Sequence, residues 1–364
     1  MRCLLTLLVL CALGVAPASA AATCMQLRGT VVSAADASPV VGAHVYLNAT
    51  TIGTLTDAEG GFVLDLKRSH PVLDLVVSSL AYEKQRIRLD PATLFPGCAV
   101  AVTLEEATFE LGPVEVVSIS ERTARAYRKR AERELLGTTP NGKAARITNL
   151  DDIHVTWISE DGEAYHAHST VPLVIDNTKL DYLLHYTLDA LEVHAGQVAL
   201  RGYSYYEAKS AAPSRRVKRR RAEAYRGSLR HFLHVLNLAT TPDDLAEAGY
   251  FVYSHGLDVR ELYDADPLHP YDLVAADADA GRYLKPQLKV WILYEEESEP
   301  RSYKRANAKR GFHTPTHGQY SVIETPAMPV RIAEFNPEIV ENVTTYLYMA
   351  AERLADEVPL DYTP

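Results

Sequence analysis

Apolar and polar residues alternate through residues 27–32, 43–47, 62–66 and 73–77. Short period-two runs at near-regular spacing predict an all-β module, since alternate side chains of a strand face opposite sides. The turns carry their own chemistry. Asp36-Ala37-Ser38-Pro39 opens the first, and Asp57-Ala58-Glu59-Gly60-Gly61 closes a tight hairpin, with Asp57 bonding backbone N–H groups ahead of it.

The pattern changes at residue 120. Ala124, Tyr127, Ala131 and Leu135 share one face of a predicted linker helix that ends at Gly137. Beyond it, residues 153–158 and 163–168 flank Asp161-Gly162 as a hairpin. Leu180, Tyr182, Leu184, Tyr186 and Leu188 then point one way along a strand, opposite Asp181, His185, Thr187 and Asp189, with 198–206 as its antiparallel neighbour. A basic block, 214–221, runs into one helix through Tyr225, Leu229, Phe232, Leu233 and Leu236. Thr241-Pro242-Asp243-Asp244 starts another helix, which Gly249 stops. Strands at 250–253 and through Leu288, Val290, Ile292 and Tyr294 lead to an acidic loop, 295–300. Shorter strands at 320–323 and 330–332 precede Asn336-Pro337-Glu338, the predicted start of a last helix carrying Val340, Val343, Leu347, Ala351 and Leu354 inward. Antiparallel strands interrupted by helices make this second region α+β.

Several motifs in the first module occur in order: Gly29-Thr30-Val31, Pro39-Val40-Val41-Gly42-Ala43, Thr51 to Asp57, Gly60-Gly61-Phe62 and Leu80-Ala81-Tyr82. Together they resemble the carboxypeptidase-like regulatory domain. The resemblance implies a seven-stranded, transthyretin/prealbumin-like β-sandwich with no catalytic residues of its own. That family accompanies metallocarboxypeptidases and stands at the N-terminus of TonB-dependent receptors. The ending 102–106 together with 111–117 resembles the receptor version. Residues 171–177, 224–233 and 350–356 resemble the uncharacterised C-terminal region of a group of exported, barrel-less proteins, for which no reaction is established. The expected organisation is a signal peptide (1–20), the regulatory-like domain (24–118), a linker helix (119–144) and an α+β domain (145–364).

The leader expectation rests on Arg2, the apolar run 4–15 and Ala18-Ser19-Ala20 as a cleavage site. No second long apolar segment occurs, so no membrane span is expected after cleavage. A poor lipobox precedes Cys24. Export leaves two cysteines, Cys24 and Cys98, flanking the first module, and an oxidising compartment favours a disulfide between them. In the chain-entropy account, closing so long a loop stabilises by roughly 4 kcal/mol. A formal charge of −10 argues against nucleic acid as partner.

Candidate chemistry is sparse. Arg215, Arg216, Lys218, Arg219, Arg220 and Arg221 form a candidate site for an anionic lipid or polysaccharide, against the plainer reading of a charged loop and first helical turn. Among thirteen histidines, His166 and His168 are the metal candidates, because they share one strand face, but no third ligand is marked. Asp57 with Glu59, and Asp277 with Asp279, look like partial calcium sites but fall short of the needed ligands. His231 with His234 and His313 with His317 read as a core edge and a chance spacing. No cofactor is expected.

Two functions are expected. The first is a non-catalytic exported envelope protein with a binding or assembly role, in the periplasm, outer membrane or cell surface of a Gram-negative bacterium, with outer-membrane proteins or surface glycan as partners. A receptor barrel itself does not fit, since about 22 tilted strands of roughly 10 residues, with the turns that join them, cannot be placed after residue 118. The alternative is a secreted hydrolase whose site gathers His166 or His185 beside Asp181 or Asp189.

Overall fold

The computed structural model describes residues 24–364 apart from 67–72, 91–93, 95–96, 108–118, 195–196, 258–259, 278–280, 310–316 and 333–342. The expected leader, His313 and the start of the expected last helix lie outside the described residues.

Strands β1 (Gln26–Ser33), β2 (His44–Leu47), β3 (Gly53–Leu55), β4 (Gly61–Asp65), β5 (Leu73–Ser78), β6 (Gln85–Leu89) and β7 (Ala99–Leu104) build the first module. They form two sheets, β4-β1-β7 and β3-β2-β5-β6. All pairings are antiparallel except β1 with β7, which run parallel. The alternation explains the arrangement: Leu27, Val31, Leu64, Val102 and Leu104 of one sheet and Val45, Leu47, Leu75 and Val77 of the other enter one core, a β-sandwich-like packing. Each such leucine contributes about 1.5–3 kcal/mol on full burial. The Cys24 and Cys98 sulfurs are bonded within this core, with 5.8 Å between Cα atoms. Asp57 Oδ1 accepts from the Glu59 and Gly61 N–H groups, so it organises its hairpin turn.

Helix α1 (Glu121–Leu136) begins at Ser120, whose side chain accepts from the Thr123 N–H, and buries Ala131, Leu135 and Leu136. Its Tyr127 hydroxyl and Arg130 guanidinium both donate to the Gly162 carbonyl, which fixes the helix on the hairpin turn. The hairpin belongs to a six-stranded sheet of β8 (Arg146–Ile147), β9 (Ile153–Ile158), β10 (Tyr165–Ser169), β11 (Leu173–Asn177), β12 (Tyr182–His194) and β13 (Gln197–Ala208). The long β12 pairs with β11 and β10 along one edge and with β13 along the other. Leu180, Tyr182, Leu184, Tyr186 and Leu188 all face its core.

The predicted single helix after the basic block is two helices, α2 (Arg215–Tyr225) and α3 (Leu229–Leu238). Gly227 adopts φ +73°, and a Cβ there would meet Gln319 Oε1 at 2.5 Å and Tyr294 Cδ1 at 2.9 Å. The chain therefore turns at the glycine, and Ser228 caps the second helix by accepting from His231 N–H. Helix α4 (Pro242–Glu247) starts where expected, and its cap is a capping box between Thr241 and Asp244. A further four-stranded sheet, β14 (Tyr250–Ser254), β17 (Lys289–Tyr294), β18 (Gln319–Glu324) and β20 (Thr344–Leu347), packs on α3, with β15 (Val274–Asp277), β16 (Gly281–Leu284) and β19 (Val330–Ile332) as a smaller one. Asp277 pairs with Gly281 across the β15–β16 hairpin, and Asp279 lies outside the described residues.

The expected last helix is corrected. Among the described residues, 344–347 are strand β20, paired to β18, and helix covers Tyr348–Ala351. Thr344 and Thr345 open a β-branched stretch that suits a sheet edge, and the helical spacing of apolar residues there is coincidental. From Glu352 to Tyr362 the chain runs without regular structure as a strap across the molecule.

Candidate functional site

The residues expected to gather into a hydrolytic site do not meet. His166 stacks against Trp157, with ring centroids 4.9 Å apart. His185 Nε2 lies 3.3 Å from Glu207 Oε2. Asp181 sits at a positive-φ turn with its carboxylate 4.0 Å from Arg221. Asp189 is 2.5 Å from Lys84 Nζ of the first module. His166 and His168 are not joined either, because the ring beside His168 is that of His154. Among the described residues no group of three or more His, Cys, Asp or Glu is arranged to hold a metal.

The basic block divides. Arg215, Arg216, Lys218 and Arg219 lie on the first turns of α2, where Arg215, Arg216 and Lys218 face solvent to differing degrees and Arg219 and Arg220 continue the charged face. Arg219 pairs with Glu223 one turn on, at 3.3 Å. Arg221 is corrected from the candidate binding set: it is 7 % exposed, its Nε donates to the Leu180 carbonyl at 2.7 Å, and its guanidinium lies 3.8 Å over the Tyr182 ring. Helical periodicity turns this one cation inward.

The structure's polar chemistry is concentrated where the first module meets β13. Ala49 N–H donates to the Ser204 carbonyl at 2.7 Å and Tyr206 N–H to the Thr50 carbonyl at 2.9 Å, so the turn after β2 extends the sheet edge. Asn48 ties this bond to the module's interior: its Oδ1 accepts from Ser204 N–H, and its Nδ2 donates to Asp74. Asp74, 4 % exposed, is held in turn by two nitrogens of Arg86. Tyr205 lies against Gly53, where a Cβ would stand 2.6 Å from its ring, so only glycine admits this approach. His44 packs edge-on against Tyr205, with 4.7 Å between centroids. Burial, and then nearby His185, hold its pKa down at about 4.

The strap locks the same junction from the other side. Thr51 N–H and hydroxyl both bond the Asp361 carboxylate, and Leu360 N–H donates to the Ala49 carbonyl. Asn177 Nδ2 donates to the Ala355 carbonyl, and Thr139 reaches Asp356. Arg230 donates to the carbonyls of Val358, Pro359, Leu360 and Tyr362. Burial raises the Asp356 pKa to about 6. Glu352 is raised further, by burial and by Asp356 and Glu297. Glu297 and Glu299 are pushed up to about 7, chiefly by burial.

These carboxyls were not recognisable in sequence. In sequence 295–300 is an acidic loop and nothing more, yet Glu299 is 5 % exposed and accepts one hydrogen bond, from Tyr320 N–H. Its other oxygen, Oε2, like Gln319 Oε1, has no protein hydrogen-bond partner among the described residues. Pro300 was the only available signal, since proline suits the entry to a helix, here Arg301–Lys309. His231 is likewise more than a core edge: its Nδ1 lies 2.8 Å from the Tyr250 hydroxyl, and burial lowers its pKa to about 4. A cleft of about 450 Å³ beside α3 is lined by His234, Leu238 and Asp244. Asp356 and Glu297 act on Glu352, so these raised carboxyls form one electrostatic neighbourhood beside the strap.

A family model for the CarboxypepD_reg-like domain matches residues 27–116. No curated protein matches the chain. The span of the match coincides with β1 to β7, the elements that share the core containing the Cys24–Cys98 bond. The first module, residues 27–116, therefore matches the CarboxypepD_reg-like domain.

Proposed function

We propose that the chain is an exported, non-catalytic cell-envelope protein that binds or assembles with a partner, associated with the outer membrane. In this reading the first module is a transthyretin-like seven-stranded sandwich, and the protein works in the periplasm or at the surface of a Gram-negative cell. One observation carries the reading: of the residues expected in a hydrolytic site, Asp181, His185 and Asp189 are each engaged in a separate intramolecular pair, and His166 stacks on Trp157. Asp189 and its partner Lys84 join the two modules, so this chemistry supports a rigid presenting surface. The exposed cations of α2 are the proposed contact for acidic surface glycan or lipid headgroups.

Cell fractionation tests it. The expected result is a processed chain recovered with the outer membrane and crosslinked to an envelope component. A full-length chain confined to the cytoplasm overturns it.

The second reading, a secreted hydrolase, is favoured by one feature, the raised carboxyls Glu297, Glu299 and Glu352, because catalytic acids are commonly tuned in this direction. A hydrolase screen of the purified protein decides it: activity abolished by Glu299→Gln or Glu352→Gln, with the fold retained, would replace the first reading.

A further inference from the structure

The exposed face of the β9–β10 hairpin brings two imidazoles together. His154 and His168 are direct partners in the antiparallel register. Their ring centroids are 5.6 Å apart, with planes at 37°. Among the described residues neither imidazole makes a hydrogen bond or ion pair, so both can offer a nitrogen lone pair. A bulge sets the neighbourhood. His154 and Trp157 are an odd number of residues apart and would face opposite ways on a regular strand. The register shift between His166 and Ala167 places Trp157 opposite His166, and His154 opposite His168. The pair and the indole therefore lie on one face.

We propose that His154 and His168 form a two-imidazole site for a borderline divalent transition ion, Cu²⁺, Ni²⁺ or Zn²⁺, with water completing the coordination. Imidazole nitrogen suits these ions over magnesium or calcium. An ion bonded at about 2.0–2.1 Å to one nitrogen of each ring lies roughly 3.2 Å from each centroid. Two such distances span 5.6 Å at an open angle, within what four- to six-coordinate ions accept. His154 is exposed, so its ring turns to meet the ion without displacing a packed neighbour. Binding needs neutral rings, and burial together with the nearby His154 holds the His168 pKa below its ordinary value. The sheet fixes the rungs that carry both ligands, so little ordering accompanies binding. The site thus differs from the His166 and His168 pair visible in sequence, where neighbours two apart on one strand look like the chelate. Here the second ligand comes from across the ladder.

Trp157 supplies the readout, because the chain has only two tryptophans. In the mature protein carrying Trp291→Phe, emission reports the hairpin alone. Titration with copper or nickel chloride is expected to quench it saturably, with one ion per chain. His154→Ala and His168→Gln should each lower the apparent affinity at least about tenfold, the scale on which even outer-shell losses act. His185→Gln, at a histidine paired with Glu207 on β12, should leave it unchanged. Copper electron paramagnetic resonance should show nitrogen coupling that weakens in either site variant. Quenching that never saturates, or that survives unchanged in His154→Ala and His168→Gln, overturns the proposal.

Discussion

The Thr139 hydroxyl oxygen lies 2.9 and 2.7 Å from the two carboxylate oxygens of Asp356, across 217 residues of chain and out of solvent. The same oxygen accepts from Gly142 N–H, so one side chain joins the loop after α1 to the strap. Thr139→Val keeps the shape and removes the donor. It is expected to destabilise by about 1.5–3 kcal/mol, the range for a hydrogen bond to a charged group, read as a lower urea midpoint with unchanged slope.

Arg230 holds four strap carbonyls with one planar guanidinium. Lysine has no fork and satisfies fewer of them. Arg230→Lys should therefore behave much like Arg230→Ala, with both variants releasing the segment 358–362 to protease under conditions where the parent resists. Rescue by lysine would show that charge, and not the fork, holds the strap.

The basic helix should split by burial. Arg221→Ala takes the guanidinium donor from the Leu180 carbonyl and leaves the Asp181 carbonyl with Lys209 N–H, and a buried acceptor left unsatisfied costs about 1–3 kcal/mol. Arg216→Ala or Lys218→Ala, at the outer face, should stay within about 0.5 kcal/mol. If anionic vesicles bind the protein, this outer pair should carry the affinity, and raised salt should abolish it.

Acid–base behaviour has opposed parts. Glu297 and Glu299 hold protons up to about 7 in the fold against an ordinary 4.5, so their contribution is complete below 4.5 and is lost as pH rises through 7. His44 and His231, held near 4 against 6.5, contribute above 6.5 and lose that contribution as pH falls toward 4. Above pH 6.5 the two histidines are neutral in both states and only the glutamates of this set still act. Melting temperature should thus fall as pH rises from 6.5 through about 7, and Glu299→Gln should reduce that fall. His44→Gln should leave it alone while flattening the acid limb.

Sequence carried much of the architecture. The alternation at 180–188 named the buried face of β12, and Asp57 with its glycines named a turn, because both are local statements about periodicity and backbone conformation. The family motifs located the first module. What failed was non-local. The inward turn of Arg221 depends on carbonyls about 40 residues earlier, and the burial of Glu299 depends on what covers the loop. His154 was passed over for the metal pair because its neighbour His168 lies on another strand, and no one-strand spacing rule can find it. The single-helix expectation at 214–236 tracked apolar spacing across Gly227 and overlooked the Gly-Ser stop-and-cap signal written there.

Thr51 completes its bonding only with Asp361, 310 positions later. On the ribosome the domain's docking turn therefore emerges long before its partner does. Until that partner arrives, the sheet edge that receives Ala49 and Thr50 lacks its clasp, and the modules are joined by the Asn48, Ala49 and Lys84 contacts without it. A chain built this way defers its final rigidity to the end of vectorial synthesis, so truncation before residue 360 should loosen the junction while the Ala49, Asn48 and Lys84 contacts remain.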